Sequence, residues 1–129
     1  MLKLANVHHI AIICSDYEKS RRFYTEVLGF KILSEHYRTE RNSFKLDLAL
    51  NERYTIELFS FPEAPPRVTR PEATGLRHLA FTVEDVDHAL HILKEKGIAT
   101  EPVRVDPYTS KRFLFFRDPD ELPIELYER

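Results

Sequence analysis

At 129 residues and 15.3 kDa, the chain is long enough for one ordinary domain or for two half-sized modules that share a core. Nineteen basic and 21 acidic side chains give a formal net charge of −2 with neither sign collected in a tail, which excludes a nucleic-acid-binding surface and leaves a small molecule as the expected partner. The single cysteine, Cys14, excludes an intramolecular disulfide. Without a basic leader or about 18 consecutive apolar residues, we expect a cytoplasmic protein and no membrane insertion.

The first predicted elements are a buried strand and a helix. Residues 7–14 form an apolar run that is rich in isoleucine and too short for a helix. Ser15 or Asp16 is expected to cap the helix that follows, and an apolar stripe at helical spacing continues to Gly29, which suits the position just after a helix. Three extended segments are predicted next, at 30–37, 45–50 and 54–61.

The middle of the chain is rich in proline. Residues 62–75 hold four of the eight prolines and are predicted to be a linker. We interpret residues 1–129 as a single domain with a first module over about 4–61, the linker over about 62–75 and a second module over about 76–127.

The two sides of the linker repeat one pattern. Each begins with His-x-Ala-x-x-x-x-Asp and continues to a glycine and then, the same number of positions later, to the Glu of an Ile-Glu-Leu tripeptide. The landmarks are His9, Asp16, Gly29 and Glu57 in the first copy and His78, Asp85, Gly97 and Glu125 in the second. A repeat of this kind indicates that one supersecondary unit occurs twice.

The second copy predicts the same elements as the first. A strand over 78–83 precedes a helix between Asp85 and Gly97, and three extended segments follow at 98–105, 112–117 and 122–127. Each module is therefore βαβββ, and the fold class is α+β. A single helix covers one face of each sheet, so two modules can build a concave surface from their uncovered faces.

Side-chain alternation indicates which residues face that hollow. His9 shares a strand face with Ala11 and Ile13, whereas His8 is expected on the opposite, helix-covered face. By the same rule Glu57 and Glu125 take equivalent positions in the two modules.

The set His9, Glu57, His78 and Glu125 predicts a metal site. A buried carboxylate needs a cation or a hydrogen-bond donor as a partner, because burying an unpaired charge costs free energy. One shared cation can pair with two carboxylates at once. Two imidazoles and two carboxylates without a thiolate suit one divalent ion per site, with Zn, Ni or Co favoured and Fe or Mn as alternatives.

The chain resembles the glyoxalase / vicinal oxygen chelate superfamily over nearly its whole length. The motifs that carry the resemblance are His9 in His-Ile-Ala-Ile, Asp16, the Phe-Tyr-x-x-Val-Leu-Gly-Phe stretch at 23–30, Glu57, Gly75-x-x-His78-x-Ala80-Phe81, Asp118-Pro119-Asp120 and Glu125. The resemblance implies paired βαβββ modules in an open cup around one metal, and a homodimer. Within the superfamily, the four candidate ligands resemble those of bacterial glyoxalase I, lactoylglutathione lyase.

The resemblance implies an isomerase or lyase that turns the hemithioacetal of a 2-oxoaldehyde and a thiol into a 2-hydroxyacyl thioester. Glu125 is the first candidate for the catalytic base and Glu57 the second. The predicted substrate pocket contains Phe59, Phe61, Phe113, Phe115 and Tyr127, with Lys111 and Arg112 as candidates to hold a substrate anion.

Two departures from that pattern stand in the sequence. Ile13 and Phe61 occupy the positions where glyoxalase I has the Arg and Asn that contact glutathione, so a glutathione carrier is the weakest part of the assignment. Glu121 replaces the glycine of an Asp-Pro-Asp-Gly turn, which predicts a changed turn.

Two other functions remain open from sequence alone. One is a different metalloenzyme of the superfamily, such as an epimerase, a thiol transferase or a dioxygenase. The other is a module that binds or sequesters a small molecule. The sequence does not decide whether the modules pair within one chain or across a dimer.

Overall fold

The computed structural model describes all 129 residues, and contacts within the chain divide it into Met1–Pro65 and Pro66–Arg129. The division falls inside the proline-rich stretch. Each unit contains one four-stranded mixed sheet and the element order βαβββ, so the predicted module is confirmed twice. Neither unit has a helix with the length and apolar content needed to cross a bilayer.

The first unit has four strands and one helical segment. They are β1 (Ile10–Cys14), α1 (Tyr17–Arg22) with a following π-helical turn (Phe23–Val27), β2 (Lys31–Arg38), a short 3-10 turn (Thr39–Arg41), β3 (Ser43–Leu50) and β4 (Arg53–Ser60). The strand order is β1-β4-β3-β2, in which β1 runs parallel to β4 and the other neighbours are antiparallel.

The second unit repeats this topology. Its elements are β5 (Leu79–Val83), α2 (Val86–Glu95), β6 (Arg104–Val105), β7 (Arg112–Arg117) and β8 (Pro123–Glu128). The strand order β5-β8-β7-β6 again contains one parallel pair, β5 with β8. The first and last strands of each unit are therefore neighbours, which brings the start and the end of each repeat together.

Both helices begin and end as the sequence predicts. The Asp16 carboxylate accepts a hydrogen bond from the backbone N–H of Lys19 at 3.1 Å, and that of Asp85 accepts one from His88 at 3.0 Å. Gly29 and Gly97 follow the helices with φ of 80° and 72°. The first helix differs from the expectation of one continuous α-helix because its last turn is π-helical.

The cores of the two units lie on one face of each sheet. In the first unit the buried side chains include Ile12, Cys14, Phe23, Tyr24, Leu46, Leu48, Ile56 and Leu58, and in the second Leu79, Val86, Leu93, Leu114, Phe116 and Ile124. In β4 and β8 these buried positions alternate with half-buried ones. The candidate glutamates occupy the half-buried positions, opposite the core.

Two predicted strands are shorter than expected. The strand predicted over 7–14 begins only at Ile10. The segment predicted over 98–105 forms a strand only at Arg104–Val105, with an isolated bridge from Thr100 to Phe116. Pro102 lies between these pairings and has no backbone N–H to donate, which interrupts the ladder.

The turn before β8 is organised by a buried carboxylate. Asp118 is 5% exposed and accepts hydrogen bonds from the backbone N–H groups of Asp120 and Leu122, both at 2.9 Å. Glu121 adopts φ of 70°, the left-handed conformation that glycine takes readily. The changed turn expected from this substitution is therefore not observed, because Glu121 itself adopts the glycine-like backbone.

Candidate functional site

The first unit places His9 beside Glu57. His9 immediately precedes β1, and Ala11, two residues later, pairs with Glu57 on the parallel strand β4. His9 Nε2 lies 3.7 Å from Glu57 Oε1. The Glu57 side chain is only 16% exposed, so its carboxylate is largely removed from solvent.

The second unit reproduces this arrangement with His78 and Glu125. Ala80, two residues after His78, pairs with Glu125 on the parallel strand β8, and His78 Nε2 lies 3.1 Å from Glu125 Oε2. The Glu125 side chain is 13% exposed. The sequence repeat thus corresponds to a repeated His–Glu pair at the same place in each sheet.

The donor chemistry of these pairs fits a borderline divalent ion. Each pair offers an imidazole nitrogen and a carboxylate oxygen, which are ligands that zinc and its neighbours accept. The structure brings no three His, Cys, Asp or Glu side chains close enough to hold a metal ion. A pair alone supplies two ligands, fewer than the three protein ligands of an ordinary catalytic zinc site.

A polar cluster surrounds Glu57 in the first unit. Glu57 Oε2 accepts a hydrogen bond from the Tyr54 hydroxyl at 3.1 Å and lies 3.5 Å from Lys45 Nζ. Asp47, which pairs with Glu57 across β3 and β4, accepts hydrogen bonds from Lys45 at 2.9 and 3.0 Å and from Tyr54 at 3.0 Å. One oxygen of the Glu57 carboxylate is therefore already engaged within its own sheet.

These contacts shift the acidity of the cluster. Hydrogen bonding to Asp47 raises the pKa of Lys45. Burial opposes ionisation of Asp47, but hydrogen bonds from Lys45, Ser34 and Tyr54 outweigh it and lower the pKa of this carboxyl. Burial and the hydrogen bonds to Asp47 and Glu57 raise the pKa of the Tyr54 hydroxyl. The cluster is thus an ammonium and a carboxylate held in their charged forms beside a neutral phenol.

His8 also lies next to His9, contrary to the expectation from alternation. The two Nδ1 atoms are 2.8 Å apart, and both rings pack against Tyr54 with centroid distances of 5.3 Å. Alternation fails here because β1 begins at Ile10, so the two histidines precede the regular strand. No sequence pattern distinguished His8, and only the position of the strand end places it at the site.

The surroundings of Glu125 in the second unit are aromatic. Phe115 pairs with Glu125 across β7 and β8, and its ring meets the His78 ring edge-on at 5.1 Å. Phe113 pairs with Tyr127, and their rings stack at 6.2 Å. His78 is the only hydrogen-bonding or ion-pairing partner of the Glu125 carboxylate. The two units therefore share a His–Glu pair but differ in what flanks it.

The predicted aromatic lining divides between the units. Phe59 and Phe61 stack at 6.0 Å in the first unit, with the Arg38 guanidinium over the Phe59 ring at 4.7 Å. In the second unit Phe113 and Phe115 lie on the face of Glu125, as the strand pairing requires.

The two basic residues predicted to join this lining have other partners. Lys111 Nζ donates to the backbone carbonyl of Arg129 at 2.8 Å. The Arg112 guanidinium donates to both Asp87 oxygens, at 2.8 and 2.9 Å, on helix α2. Arg112 shares its strand face with the buried Leu114, so it points to the helix side and is not brought to the face of Glu125.

Residues 6–126 match the Glyoxalase/Bleomycin resistance protein/Dioxygenase superfamily. The chain belongs to this superfamily. A glyoxalase family protein from Enterococcus faecalis has a crystal structure with a TM-score of 0.89 and 48% sequence identity, covering 95% of this chain and 97% of that chain. Paired βαβββ modules are thus shown for this member of the glyoxalase superfamily both by its own strand order and by a solved relative.

Two curated relatives of this glyoxalase-superfamily chain differ in how far they extend. The uncharacterized protein YwkD of Bacillus subtilis (strain 168) is 66% identical over 126 residues, which is 98% of each chain. A lactoylglutathione lyase of Schizosaccharomyces pombe (strain 972) is 31% identical over 142 residues, which covers 93% of this chain and 46% of the lyase.

Proposed function

We propose that this protein is a metal-dependent, glyoxalase I-like enzyme that converts a 2-oxoaldehyde–thiol hemithioacetal into a 2-hydroxyacyl thioester. The observation that carries the proposal is the His–Glu pair that recurs at the same place in both sheets, at His9 with Glu57 and at His78 with Glu125. The similarity to a lactoylglutathione lyase supports the class of reaction.

In this proposal His9, Glu57, His78 and Glu125 together hold one divalent ion, with Zn, Ni or Co favoured and Fe or Mn as alternatives. The ion would polarise the two neighbouring oxygens of the substrate and stabilise the negative charge that develops on them. A set of four protein ligands also leaves room for two substrate oxygens around an ion that accepts six ligands.

The reaction itself is a proton transfer between adjacent carbons. The base removes the proton from the carbon that carries the sulfur, and the electron pair of that C–H bond forms the double bond of an enediol. The proton returns to the neighbouring carbon, and the hydroxyl proton of the sulfur-bearing carbon moves to the former carbonyl oxygen, so the former carbonyl becomes the alcohol and the thioester carbonyl forms. No oxidant, reductant or co-reactant is needed, and one carboxylate within reach of both carbons suffices.

Glu125 is the better base of the two glutamates. Glu57 Oε2 already accepts a hydrogen bond from Tyr54 and lies 3.5 Å from the ammonium of Lys45, so one oxygen of this carboxylate is engaged within its own sheet. Glu125 forms its one ion pair through Oε2, with His78, and Phe115 pairs with it across β7 and β8, so Oε1 is available to take a proton. Aromatic flanks also limit the access of water to an enediol.

The thiol carrier is proposed to differ from glutathione. Ile13, at the position of the glutathione-binding Arg, is an apolar side chain with 53% exposure, and Phe61 stacks on Phe59. Neither side chain can form a charge-assisted or amide hydrogen bond with a tripeptide.

Two arrangements can bring the proposed ligands together, and a mixing experiment separates them. One variant carries His9→Ala with Glu57→Gln, and the other carries His78→Ala with Glu125→Gln. In the first arrangement, each site combines the first unit of one chain with the second unit of another. In that case co-refolded mixtures regain activity, because every dimer of the two different variants contains one intact set of four ligands. If every chain supplies its own set, the mixture remains inactive.

The proposed activity is tested on protein that has been stripped and reloaded with Zn, Ni, Co, Fe or Mn. We expect thioester formation from the methylglyoxal adduct of at least one thiol, and none after chelation. The panel contains glutathione, 3-mercaptopropionate, cysteine and 2-mercaptoethanol, and turnover is followed by thioester absorbance and by proton NMR. Absence of turnover with every adduct in metal-loaded protein would contradict the proposal.

A further inference from the structure

A cavity of about 340 Å³ opens beside His78 in the second unit. One wall is the segment that precedes β5, from Arg67 to Ala73, and another contains Phe115 of β7. The Phe115 ring also contacts His78 edge-on, so the cavity adjoins the His–Glu pair of this unit. Its volume is that of a small-molecule site.

The cavity is strongly basic. Its charged lining consists of Arg67, Arg70, Arg77, Arg104 and Arg117 with Glu72 and Glu101. This excess of arginine contrasts with the formal net charge of −2 for the chain. Guanidinium groups present planar pairs of donors that match a carboxylate or a phosphate.

Three of the arginines are held by the protein itself. Arg67 donates to the backbone carbonyls of Leu76 and Arg77, the latter at 3.1 Å. Arg77 forms a two-point contact with Glu72 at 2.9 and 3.0 Å. Arg117 donates to Glu121 at 2.7 Å, outside the set of residues that line the cavity. These contacts shape the wall of the cavity and leave fewer donors for a ligand.

The other two arginines keep their donors available. Arg70 is exposed and forms no ion pair within 4.0 Å, although it interacts electrostatically with Glu72 over a longer distance. Arg104 forms no hydrogen bond, and its nearest carboxylate oxygen, on Glu101, is 3.8 Å away. The Arg104 guanidinium also lies over two rings, 5.0 Å from the Phe113 centroid and 5.6 Å from the Phe115 centroid. These cation–π contacts hold the guanidinium beside the aromatic rings.

One aromatic ring, Phe115, contacts both Arg104 and the candidate metal ligand His78. The Arg104 guanidinium carbon lies 5.6 Å from the Phe115 ring centroid. The His78 ring centroid lies 5.1 Å from the same Phe115 centroid. In the first unit, Arg38 lies over the Phe59 ring but donates to Ser43 at 3.0 Å, so its donors are partly used.

We infer that this cavity binds the carboxylate of an acidic substrate tail, with Arg70 and Arg104 as the binding residues. This inference rests on the proposed function, in which the tail belongs to the thiol carrier and the reacting carbons lie at His78. The cavity would provide the anion contact that the apolar Ile13 cannot make.

Binding is tested without any turnover. Succinate and inorganic phosphate are titrated into metal-free protein, and the backbone and arginine side-chain NMR signals are followed. We expect succinate to shift signals of residues 67–77 and of Arg104, and Arg70→Gln and Arg104→Gln each to weaken succinate binding about tenfold. The matched control is Arg41→Gln, which removes the same charge from an exposed position in the first unit.

Turnover is tested on two adducts that share the reacting carbons. For the methylglyoxal adduct of 3-mercaptopropionate, each variant should lower kcat/KM about tenfold, mainly through KM. For the neutral adduct of 2-mercaptoethanol, kcat/KM should change less than about twofold.

The outcomes separate the two proposals. NMR shifts that succinate induces in the wild-type protein but not in the variants support the anion site. If no adduct is turned over in the same protein, the proposed isomerase activity is contradicted. Turnover with equal losses on both adducts, or succinate binding unchanged in Arg70→Gln and Arg104→Gln, overturns the anion site alone. Phosphate binding tighter than succinate overturns the carboxylate assignment.

Discussion

Replacement of Glu125 by glutamine is expected to lower kcat for the hemithioacetal reaction about a thousandfold. Glutamine keeps the shape of the side chain and an oxygen that can still contact His78, but it cannot accept a proton at neutral pH. Glu57 is the other candidate base, and we expect it to replace Glu125 poorly because one of its oxygens already accepts a hydrogen bond from Tyr54. The measurement is kcat with metal content determined on the same sample.

Glu57→Gln is the matched control for this variant. Glu57 occupies the same strand position in the other unit. Each variant would remove one carboxylate from the proposed ligand set, so we expect both to weaken metal binding to a similar extent. We expect only about a tenfold loss of kcat in Glu57→Gln once the metal is saturating. Equal losses in the two variants, or wild-type turnover in metal-loaded Glu125→Gln, would show that Glu125 is not the base.

Replacement of His78 by alanine is expected to weaken the binding of a divalent ion by at least about a hundredfold. The loss of a direct ligand exceeds the ten- to hundredfold effect that is typical for residues that only support a ligand. His78 Nε2 lies 3.1 Å from Glu125, so its removal also leaves that carboxylate without its partner. Competition with a fluorescent chelator measures the dissociation constant directly.

His91→Ala serves as the control for the histidine variant. His91 lies on α2, is exposed, and contacts only Glu95, at 3.2 Å, so it should leave metal affinity unchanged. Thermal unfolding of metal-free protein shows whether either variant alters the fold itself. Unchanged affinity in folded His78→Ala protein would remove this residue from the ligand set.

The repeat made most of the fold predictable from sequence. Four landmarks in register implied the same module twice, and both sheets have the corresponding topology. Alternation along β4 and β8 placed Glu57 and Glu125 correctly opposite the core, because both lie well inside regular strands. Applied to β7, the same rule would also have predicted that Arg112 and Phe113 lie on opposite faces of the sheet.

Features at the ends of strands and between segments were not predictable in this way. His8 lies beside His9 because β1 begins only at Ile10, and alternation carries no information outside a strand. The basic cavity joins arginines from the segment before β5, from β6 and from β7. Their spacing in sequence has no period, so only the folded unit shows that Arg70 and Arg104 line one cavity.

The most direct test of the proposed metal site is anomalous X-ray diffraction from crystals of protein reloaded with zinc or nickel. We predict one anomalous peak for each set of His9, Glu57, His78 and Glu125, about 2.0 to 2.2 Å from an imidazole nitrogen or a carboxylate oxygen of each residue. The peak should disappear in His78→Ala crystals grown under the same conditions. A peak held by other residues, or no peak at saturating metal, would contradict the site on which the proposed function depends.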